Sequence, residues 1–214
     1  MKKCRLARHY DRFMAPVEKA ELSTRRRQLL ESIEGGSLLE IGCGTGVNRP
    51  FYHESVKAFF SDPDEGMLRA GFPGNNAASQ SSPCFCSMAE DLPFPDATFD
   101  TVVATLVLCS VNDPERVSGE IHRVLRPDGK LHFMEHIRGE GKHGIWQDRF
   151  QPLWSLVSCG CHPNRTPLDI LRAAKFGISH LETFDPFKSF PPWLRFCLQI
   201  VSPFISGVAA KEPG

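Results

Sequence analysis

The amino-acid sequence predicts an α/β domain built around a mostly parallel β-sheet. Short apolar runs alternate with helical segments over residues 37–137, and this alternation is typical of parallel strands joined by right-handed helical crossovers. The first run ends in a glycine-rich turn, a feature that lets the backbone approach a ligand closely. The chain has 214 residues, of which 41% are hydrophobic and 23% charged, and this fits one globular domain with its own core.

The first elements are a helix and two short strands. A helix is predicted over residues 14–34, where two glycines end it. The basic cluster Arg25–Arg27 on this helix is interpreted as a solvent-exposed face. The apolar runs Ser37–Ile41 and Val56–Ser61 are short and end at glycine or Asp-Pro, which favours buried parallel strands.

The middle of the chain continues the alternation. Residues 71–83, rich in glycine, proline and serine, are predicted to form a loop. Phe99–Leu108 is apolar and β-branched and is predicted as a fully buried strand. A helix is predicted over Asp113–Leu125, with proline in its first turn. Lys130–Ile137 follows a Pro-Asp-Gly turn and is predicted as the next strand.

The last third has a different pattern. Residues 143–176 are predicted to form helical pieces interrupted at Pro152, Gly160 and Pro163. Phe176–Phe184 and Phe204–Lys211 are predicted as two further strands.

Charge and cysteine usage exclude several classes of protein. Lys plus Arg and Asp plus Glu each number 25, so the formal charge is zero, which disfavours nucleic acid and anionic membranes as partners. The eight cysteines include no Cys-x-x-Cys pair, and this favours a reduced, cytoplasmic protein over a disulfide scaffold. The basic N-terminus is not followed by the apolar segment of a signal peptide. The apolar stretch 193–210 is too interrupted to span a bilayer.

The glycine-rich turn carries the main functional signal. Residues Glu40–Gly46 read E-x-G-x-G-x-G, and Asp62 ends the next strand 20 residues after Gly42. A carboxylate at that distance can accept both hydroxyls of an adenosine ribose. Two cofactors fit this arrangement. The NAD pattern needs Gly or Ala where Val47 stands, whereas S-adenosylmethionine carries no phosphate and suits the turn as it is.

With these residues the sequence resembles the class I S-adenosylmethionine-dependent methyltransferases. Glu40–Gly46 matches their first motif, and Asp62 matches the acid that binds ribose. Residues 89–100 are similar to the segment beside adenine, and Arg123–Gly129 matches the turn before the fifth strand. The resemblance implies a Rossmann-like, seven-stranded, mostly parallel sheet whose last strand is antiparallel, with helices on both faces. It also implies S-adenosylmethionine as cofactor and S-adenosylhomocysteine as product.

The resemblance divides the chain into parts of a single methyltransferase domain over residues 1–214. Residues 1–36 would form a helical lid, 37–137 the cofactor half, and 138–214 the substrate side with the closing strands. Met88 stands where the family often has an aspartate for adenine. The residues implied to bind the cofactor are Tyr10, Glu40, Gly42, Cys43, Gly44, Gly46, Asp62, Pro63, Met67, Met88, Ala89, Glu90, Thr105 and Leu106.

The second half is similar to the branch that includes alkyl thiol methyltransferases. The matching segments are Phe133–His136, Trp146–Gln147, Pro152 with Trp154, Gly160–His162, Asn164–Arg165 and the closing strand Phe204–Lys211. Animal members carry an apolar N-terminal membrane anchor, and we expect this chain to lack one. The resemblance implies a small apolar acceptor, with a thiol favoured. The residues expected to line its pocket are Trp146, Trp154, His162 and Arg165.

Glu135 and His136 are the predicted catalytic residues, because they follow the fifth strand at the carboxyl edge of the sheet. His136 could act as a base or orient the acceptor; alternatively it bonds a backbone carbonyl. Glu135 is expected to bond backbone groups or Arg165. A thiol, with an ordinary pKa of about 8.5, needs no strong base. O- or N-methylation of a small molecule or phospholipid is the alternative, and a non-catalytic cofactor-binding subunit is the alternative of another class.

Two further features leave open questions. Cys159–His162 has no clear second pair of ligands, so no metal site is predicted. The aromatic stretch 187–203 fits a cap over a hydrophobic substrate, a contact with a membrane surface or a dimer contact. The sequence does not choose between these, and the oligomeric state stays open.

Overall fold

A computed structural model describes residues 10–73, 82–158 and 160–212. Within these ranges the chain forms one seven-stranded sheet with helices on both sides. The strands are β1 (Gly36–Ile41), β2 (Val56–Ser61), β3 (Cys84–Phe85), β4 (Phe99–Thr105), β5 (Leu125–His136), β6 (Phe176–Phe184) and β7 (Phe204–Lys211). The helices are α1 (Tyr10–Val17), α2 (Ser23–Leu30), α3 (Glu65–Gly71), α4 (Pro114–Val124), α5 (Gly141–Val157), α6 (Pro167–Ala173) and α7 (Pro192–Leu198).

The sheet has the predicted topology. Its strand order is β3-β2-β1-β4-β5-β7-β6. The five strands β1 to β5 pair in parallel, and β7 lies antiparallel between β5 and β6. The seven-stranded sheet with an antiparallel last strand is therefore confirmed.

The two faces of the sheet cover separate parts of the core. Successive residues of a strand point to opposite faces, so Leu39 and Ile41 of β1 pack with α4 and α6. Leu38, between them, points to the other face and packs against α2 and the segment before β7. Both faces are therefore apolar, as expected for a parallel sheet covered by helices on each side.

The N-terminal helix differs from its prediction. Three helical pieces replace it: α1, a wider π-helical turn at Glu18–Leu22, and α2, which ends at Leu30 rather than at residue 34. Pro16 lies inside α1 and lacks the N–H that an α-helix needs there, and such gaps accompany irregular turns.

Three other boundaries were predicted wrongly. β5 begins at Leu125 rather than at Lys130, although its regular pairing with β4 continues only from Lys130. β4 ends at Thr105 rather than Leu108, because Leu106 takes a left-handed φ of +61° and the chain then turns. α5 continues through Pro152, and the chain leaves the helix only near Gly160, whose φ is +89°. None of the helices in the described ranges has the length and apolarity needed to cross a membrane.

Candidate functional site

The carboxyl ends of four parallel strands meet at one edge of the sheet. Ile41 at the end of β1 pairs with Ser61 of β2, and its pairing with Ala104 places β4 beside it. Thr105 pairs in turn with Met134 near the end of β5. Open α/β sheets bind ligands outside this edge, so the residues that leave these strands define the candidate site.

The glycine turn lies directly against the end of β4. Gly42, Gly44 and Gly46 have φ values of +60°, +55° and +78°, a region that side chains rarely adopt. A Cβ at Gly42 would stand 2.6 Å from Val107 Cγ2, so this position has no room for one. The buried Cys43 donates its backbone N–H to β2 at 3.1 Å. The turn is therefore held against both neighbouring strands.

Asp62 stands at the edge of this turn with part of its carboxylate unused. Its Oδ2 accepts the backbone N–H of Gly44 at 2.9 Å, and its Oδ1 accepts that of Asp64 at 2.8 Å. Burial raises the pKa of Asp62, and these two N–H groups oppose that rise. An ionised carboxylate offers about four acceptor positions, so about two remain. Two hydroxyls on adjacent carbons of a ribose would match them.

Glu40 is buried at the end of β1 and accepts hydrogen bonds from two neighbouring side chains. Its two oxygens accept from Asn48 Nδ2 at 2.9 Å and from the Tyr52 hydroxyl at 2.7 Å. Burial raises the pKa of Glu40 to about 7, although these two hydrogen bonds lower it. Glu40 thereby ties the segment after the glycine turn to the sheet edge, and it titrates near neutral pH.

Arg26 extends this polar network to the N-terminal helices. Its Nη1 donates to Asn48 Oδ1 at 2.8 Å and to Thr105 Oγ1 at 2.9 Å, and its Nη2 pairs with Glu18 at 3.0 Å. The side chain is only 4% exposed, so the prediction of an exposed basic cluster is wrong here. It is right for Arg27, whose side chain is 60% exposed. A buried guanidinium needs such partners, because an unpaired buried charge is very costly.

Arg26, Asn48 and Tyr52 were not among the site residues predicted from the sequence. Asn48 and Tyr52 are 8 and 12 residues from Glu40, so polar residues just after the glycine motif were an available signal. Arg26 offered no local signal, because two of its partners are 22 and 79 residues away.

The segment predicted to flank adenine is anchored by Glu90. Its Oε1 accepts the backbone N–H of Asn112 at 3.0 Å, and its own carbonyl accepts from Arg116 Nε at 2.7 Å. Ala89 is buried, and Met88 is half-buried. Glu90 therefore fixes the position of this segment, while the two preceding residues present apolar surface and backbone groups.

The other predicted cofactor residues lie around the same edge. The Cε methyl of Met67, on α3, lies 3.9 Å from the point where a Cβ at Gly44 would stand. Pro63 is half-buried between β2 and α3, and Leu106 is half-buried just after β4. Tyr10 begins α1, but its side chain lies outside the described part of the structure.

Glu135 holds the turn that follows β4. Its Oε1 accepts the N–H groups of Val107 and Leu108, each at 2.8 Å, and its Oε2 accepts that of Cys109 at 3.2 Å. Burial raises the pKa of Glu135 to about 7 against these hydrogen bonds. Of its two predicted partners, the backbone is confirmed. Arg165 instead donates to the carbonyl of Leu108.

His136 lies in a buried group with two cysteines. Its Nδ1 is 2.8 Å from the carbonyl oxygen of Val201, so Nδ1 carries the proton and donates it there. The ring also meets Phe204 edge to face at 4.3 Å. One ligand atom each from Cys109, His136 and Cys161 lies within 4.8 Å of the others. Spacing could not predict this group, because its members come from three separate segments.

The group is strongly polarised. A hydrogen bond from Cys109 and the charge of His136 hold the pKa of the Cys161 thiol well below its ordinary value, against the effect of burial. Burial lowers the pKa of His136, but Cys161, Glu135 and the Val201 carbonyl together outweigh burial and raise that pKa overall. The hydrogen bond with Cys161, together with burial, raises the pKa of Cys109. The thiolate form of Cys161 is therefore more favoured than that of an ordinary cysteine.

The residues predicted to line a substrate pocket lie on α5 and in the segment that follows it. Trp146 and Trp154 on α5 are half-buried and pack against the core on the α2 side. The backbone N–H of His162 donates to the Cys109 carbonyl at 2.6 Å, and its Nδ1 is 2.6 Å from Gln151 Nε2. His162, like Arg165, thus braces the turn after β4.

The aromatic stretch is only partly exposed. Phe187 is buried, whereas Trp193 and Phe196 on α7 are 70% and 65% exposed. This distribution leaves the three sequence-based alternatives for the stretch open.

Comparisons with known proteins agree with this geometry. A family model described as "Methyltransferase domain" matches residues 39–133. The chain is 35% identical to the thiol S-methyltransferase TMT1B of Rattus norvegicus, over 91% of this chain and 78% of the relative. It is 32% identical to the human thiol S-methyltransferase TMT1A, over 89% and 80%. A Thermotoga maritima structure described as a SAM-dependent methyltransferase and possible histamine N-methyltransferase superposes with a TM-score of 0.70 at 22% identity, covering 97% of each chain.

Proposed function

The chain belongs to the S-adenosylmethionine-dependent methyltransferases, together with the mammalian thiol S-methyltransferases, and we propose that its methyl acceptor is the thiol of a small apolar molecule. The rat and human relatives are named for this reaction, and the match to them covers about nine-tenths of this chain. S-adenosylmethionine is the cofactor.

We assign the cofactor to the carboxyl edge of the sheet. Asp62 would accept the ribose hydroxyls, because about two acceptor positions of its carboxylate are left after Gly44 and Asp64. Ala89 and Met88 would flank adenine with apolar surface and backbone groups. The glycine turn would bind the methionine part of S-adenosylmethionine. Glu40, held by its hydrogen bonds from Asn48 and Tyr52, would stabilise the positive charge of the cofactor.

One observation carries the choice of a thiol. Among the described residues at the ends of β4 and β5, the one carboxylate, Glu135, already accepts three backbone N–H groups. Taking up a proton there would weaken the hydrogen bonds that hold the turn after β4. An alcohol needs a positioned base, whereas a thiol is far more acidic and depends on one much less. Glu135 is therefore a positioning residue in this proposal.

The bound cofactor would supply a methyl group on a positive sulfonium. An acceptor thiol that has released its proton to solvent would take this methyl group, and S-adenosylhomocysteine would be left as the product. The chain's own contribution is positioning, which can supply most of the rate of such a displacement. The turn after β4, braced by Glu135, His162 and Arg165, forms the wall against which the acceptor is held.

The test is turnover on acceptors that differ in one atom. Hexanethiol, hexanol and hexylamine share a carbon skeleton, as do thiophenol, phenol and aniline, and a phosphatidylethanolamine vesicle represents the phospholipid alternative. S-adenosylhomocysteine formation and the mass of the methylated product are measured for each. We expect both thiols to be methylated and their oxygen and nitrogen analogues to stay unmodified.

A matched variant assigns the turnover to this site. In Asp62→Asn, methylation of both thiols should be slower than in the wild type at low cofactor concentration. The rate should recover at high cofactor concentration, because the variant weakens cofactor binding. Methylation confined to phenol, hexylamine or the phospholipid would overturn the thiol proposal and leave the methyltransferase assignment. Cofactor binding without turnover on any acceptor would favour the non-catalytic subunit.

A further inference from the structure

We propose that Cys109, His136 and Cys161 bind a zinc ion, and that the acceptor thiol occupies its fourth coordination position. The claim that the acceptor thiol binds the ion rests on the thiol function proposed above. The claim that the three side chains bind zinc does not. The three side chains are buried, and one ligand atom of each lies within 4.8 Å of the other two.

The spacing suits a tetrahedral ion after a small adjustment. Zinc lies about 2.3 Å from thiolate sulfur and about 2.0 Å from imidazole nitrogen, which places neighbouring ligand atoms roughly 3.5 to 3.8 Å apart. Ligand atoms within 4.8 Å of one another reach that separation through modest side-chain rotations. Two thiolates and a neutral imidazole also balance the charge of the dication, so the buried site would be neutral overall.

The ligands are held in place by groups that do not bind the ion. His136 Nδ1 donates to the Val201 carbonyl at 2.8 Å, so the lone pair of Nε2 is left for the cysteine side. Metal-bound histidines commonly donate their other N–H in this way. Cys109 is positioned by its N–H bond to Glu135 and by the bond from His162 N–H to its carbonyl. The site is therefore built on braced backbone.

The ligand set points to zinc and to an open site. Two thiolates with an imidazole select soft or borderline ions such as zinc. Structural zinc sites have four protein ligands, whereas sites with three keep a position for substrate or water. In the part of the chain that the structure describes, Cys109, His136 and Cys161 are the one group of this kind.

The group stands where the acceptor is expected. Cys109 follows β4, and His136 is the last residue of β5, so both lie at the carboxyl edge of the sheet. Val107, two residues before Cys109, packs against Gly42 of the glycine turn. A thiol entering the open position would form a zinc–sulfur bond, displace a water ligand and release its proton to solvent. Zinc would then hold the acceptor as a thiolate at neutral pH, beside the cofactor.

The metal half is tested without any activity. The full chain is purified without a metal-affinity step, under a phosphine reductant, and its zinc is measured by plasma mass spectrometry. We expect one zinc per chain, and loss of most of it in Cys109→Ser, Cys161→Ser and His136→Gln. The control Cys197→Ser, at an exposed cysteine, should keep its zinc. Circular dichroism shows whether each variant is folded.

Cobalt exchange tests the same claim in the unaltered protein, so it does not depend on whether the variants fold. Replacement of zinc by Co²⁺ should produce a sulfur-to-cobalt charge-transfer band with tetrahedral ligand-field bands. Hexanethiol should shift this spectrum, and hexanol at equal concentration should leave it unchanged. A spectrum that responds to neither molecule would overturn the open position.

The outcomes separate the two proposals. A chain that holds no zinc and gives no cobalt band overturns the metal site, and thiol turnover by that zinc-free chain keeps the thiol function. Zinc that survives all three ligand variants also overturns the site, because it is bound elsewhere. A full complement of zinc with no thiol turnover overturns the thiol function and supports the metal site alone.

Discussion

Replacing Asp62 with asparagine should weaken the binding of S-adenosylmethionine by about 1 to 3 kcal/mol, which is roughly 5- to 150-fold in Kd. The carboxylate accepts N–H bonds from Gly44 and Asp64, and about two of its four acceptor positions remain for the ribose hydroxyls. An asparagine amide has one oxygen, and its NH₂ group cannot accept. At least one bond to a charged acceptor is therefore lost, either to the ribose or to the turn.

The neighbouring acid provides a matched control for this experiment. Asp64 caps α3 by accepting the N–H groups of Gly66 and Met67 at 2.8 and 3.2 Å. Asparagine caps helices about as well as aspartate, so Asp64→Asn should keep wild-type affinity. Isothermal titration calorimetry measures Kd for the three proteins. Equal affinity in Asp62→Asn and wild type would refute the ribose assignment.

A cofactor analogue separates ribose contact from loosening of the turn. If Asp62 bonds the ribose directly, 2′-deoxy and 3′-deoxy analogues should lose more affinity for the wild type than for Asp62→Asn, because contacting groups do not behave additively. If the variant acts only by loosening the turn at Gly44, each analogue should lose affinity by the same factor in both proteins. That additive result would contradict direct contact even if Asp62→Asn binds weakly.

Three other perturbations follow from the same network. The free energy of unfolding of the cofactor-free chain should fall by up to about 3 kcal/mol as pH rises from 4.5 to about 7 through the raised pKa of Glu40; urea titrations of Glu40→Gln should lack that part of the fall. Arg26→Met should cost about 3 to 5 kcal/mol by leaving buried partners unpaired, whereas Arg27→Met should cost less than about 1 kcal/mol, and equal losses on thermal melting would contradict the network. Gly42→Ala should destabilise the fold and weaken cofactor binding more than Gly44→Ala, because both have positive φ but only the Cβ at position 42 meets a side chain within 3 Å; the reverse order in calorimetry would contradict this packing.

The sign of the Glu40 effect comes from its environment. Burial raises its pKa from 4.5 to about 7, so in this range the folded chain binds more protons than the unfolded chain. Its contribution to stability is complete below pH 4.5 and is lost as pH rises to about 7. A cofactor with a positive sulfonium would favour the ionised carboxylate. Cofactor affinity should therefore rise over the same range, with proton release detectable in buffers of different ionisation enthalpy.

The strand pattern was predicted well where apolar runs and extended backbone coincide. The two closing strands, Phe176–Phe184 and Phe204–Lys211, have the predicted bounds. β4 was predicted three residues too long, because the apolar run continues to Leu108 after the strand has ended at Thr105. Glu135, 27 residues after Leu108, captures the N–H groups of that turn. Hydrophobicity reports burial and does not separate a strand from a buried turn.

The same distinction applies to the candidate site, where residues in a local pattern were predicted and residues with distant partners were not. The glycine turn and Asp62 could be predicted because their chemistry follows one local pattern of strand, turn and acid. Arg26 and the group of Cys109, His136 and Cys161 could not, because each depends on partners that only the folded chain brings together. The local pattern specifies the cofactor, which relatives of many specificities share. The proposed acceptor position depends on the non-local group of Cys109, His136 and Cys161, so a charge count or a cysteine spacing cannot reveal what the enzyme methylates, whereas the metal content of the purified chain and the acceptor panel can.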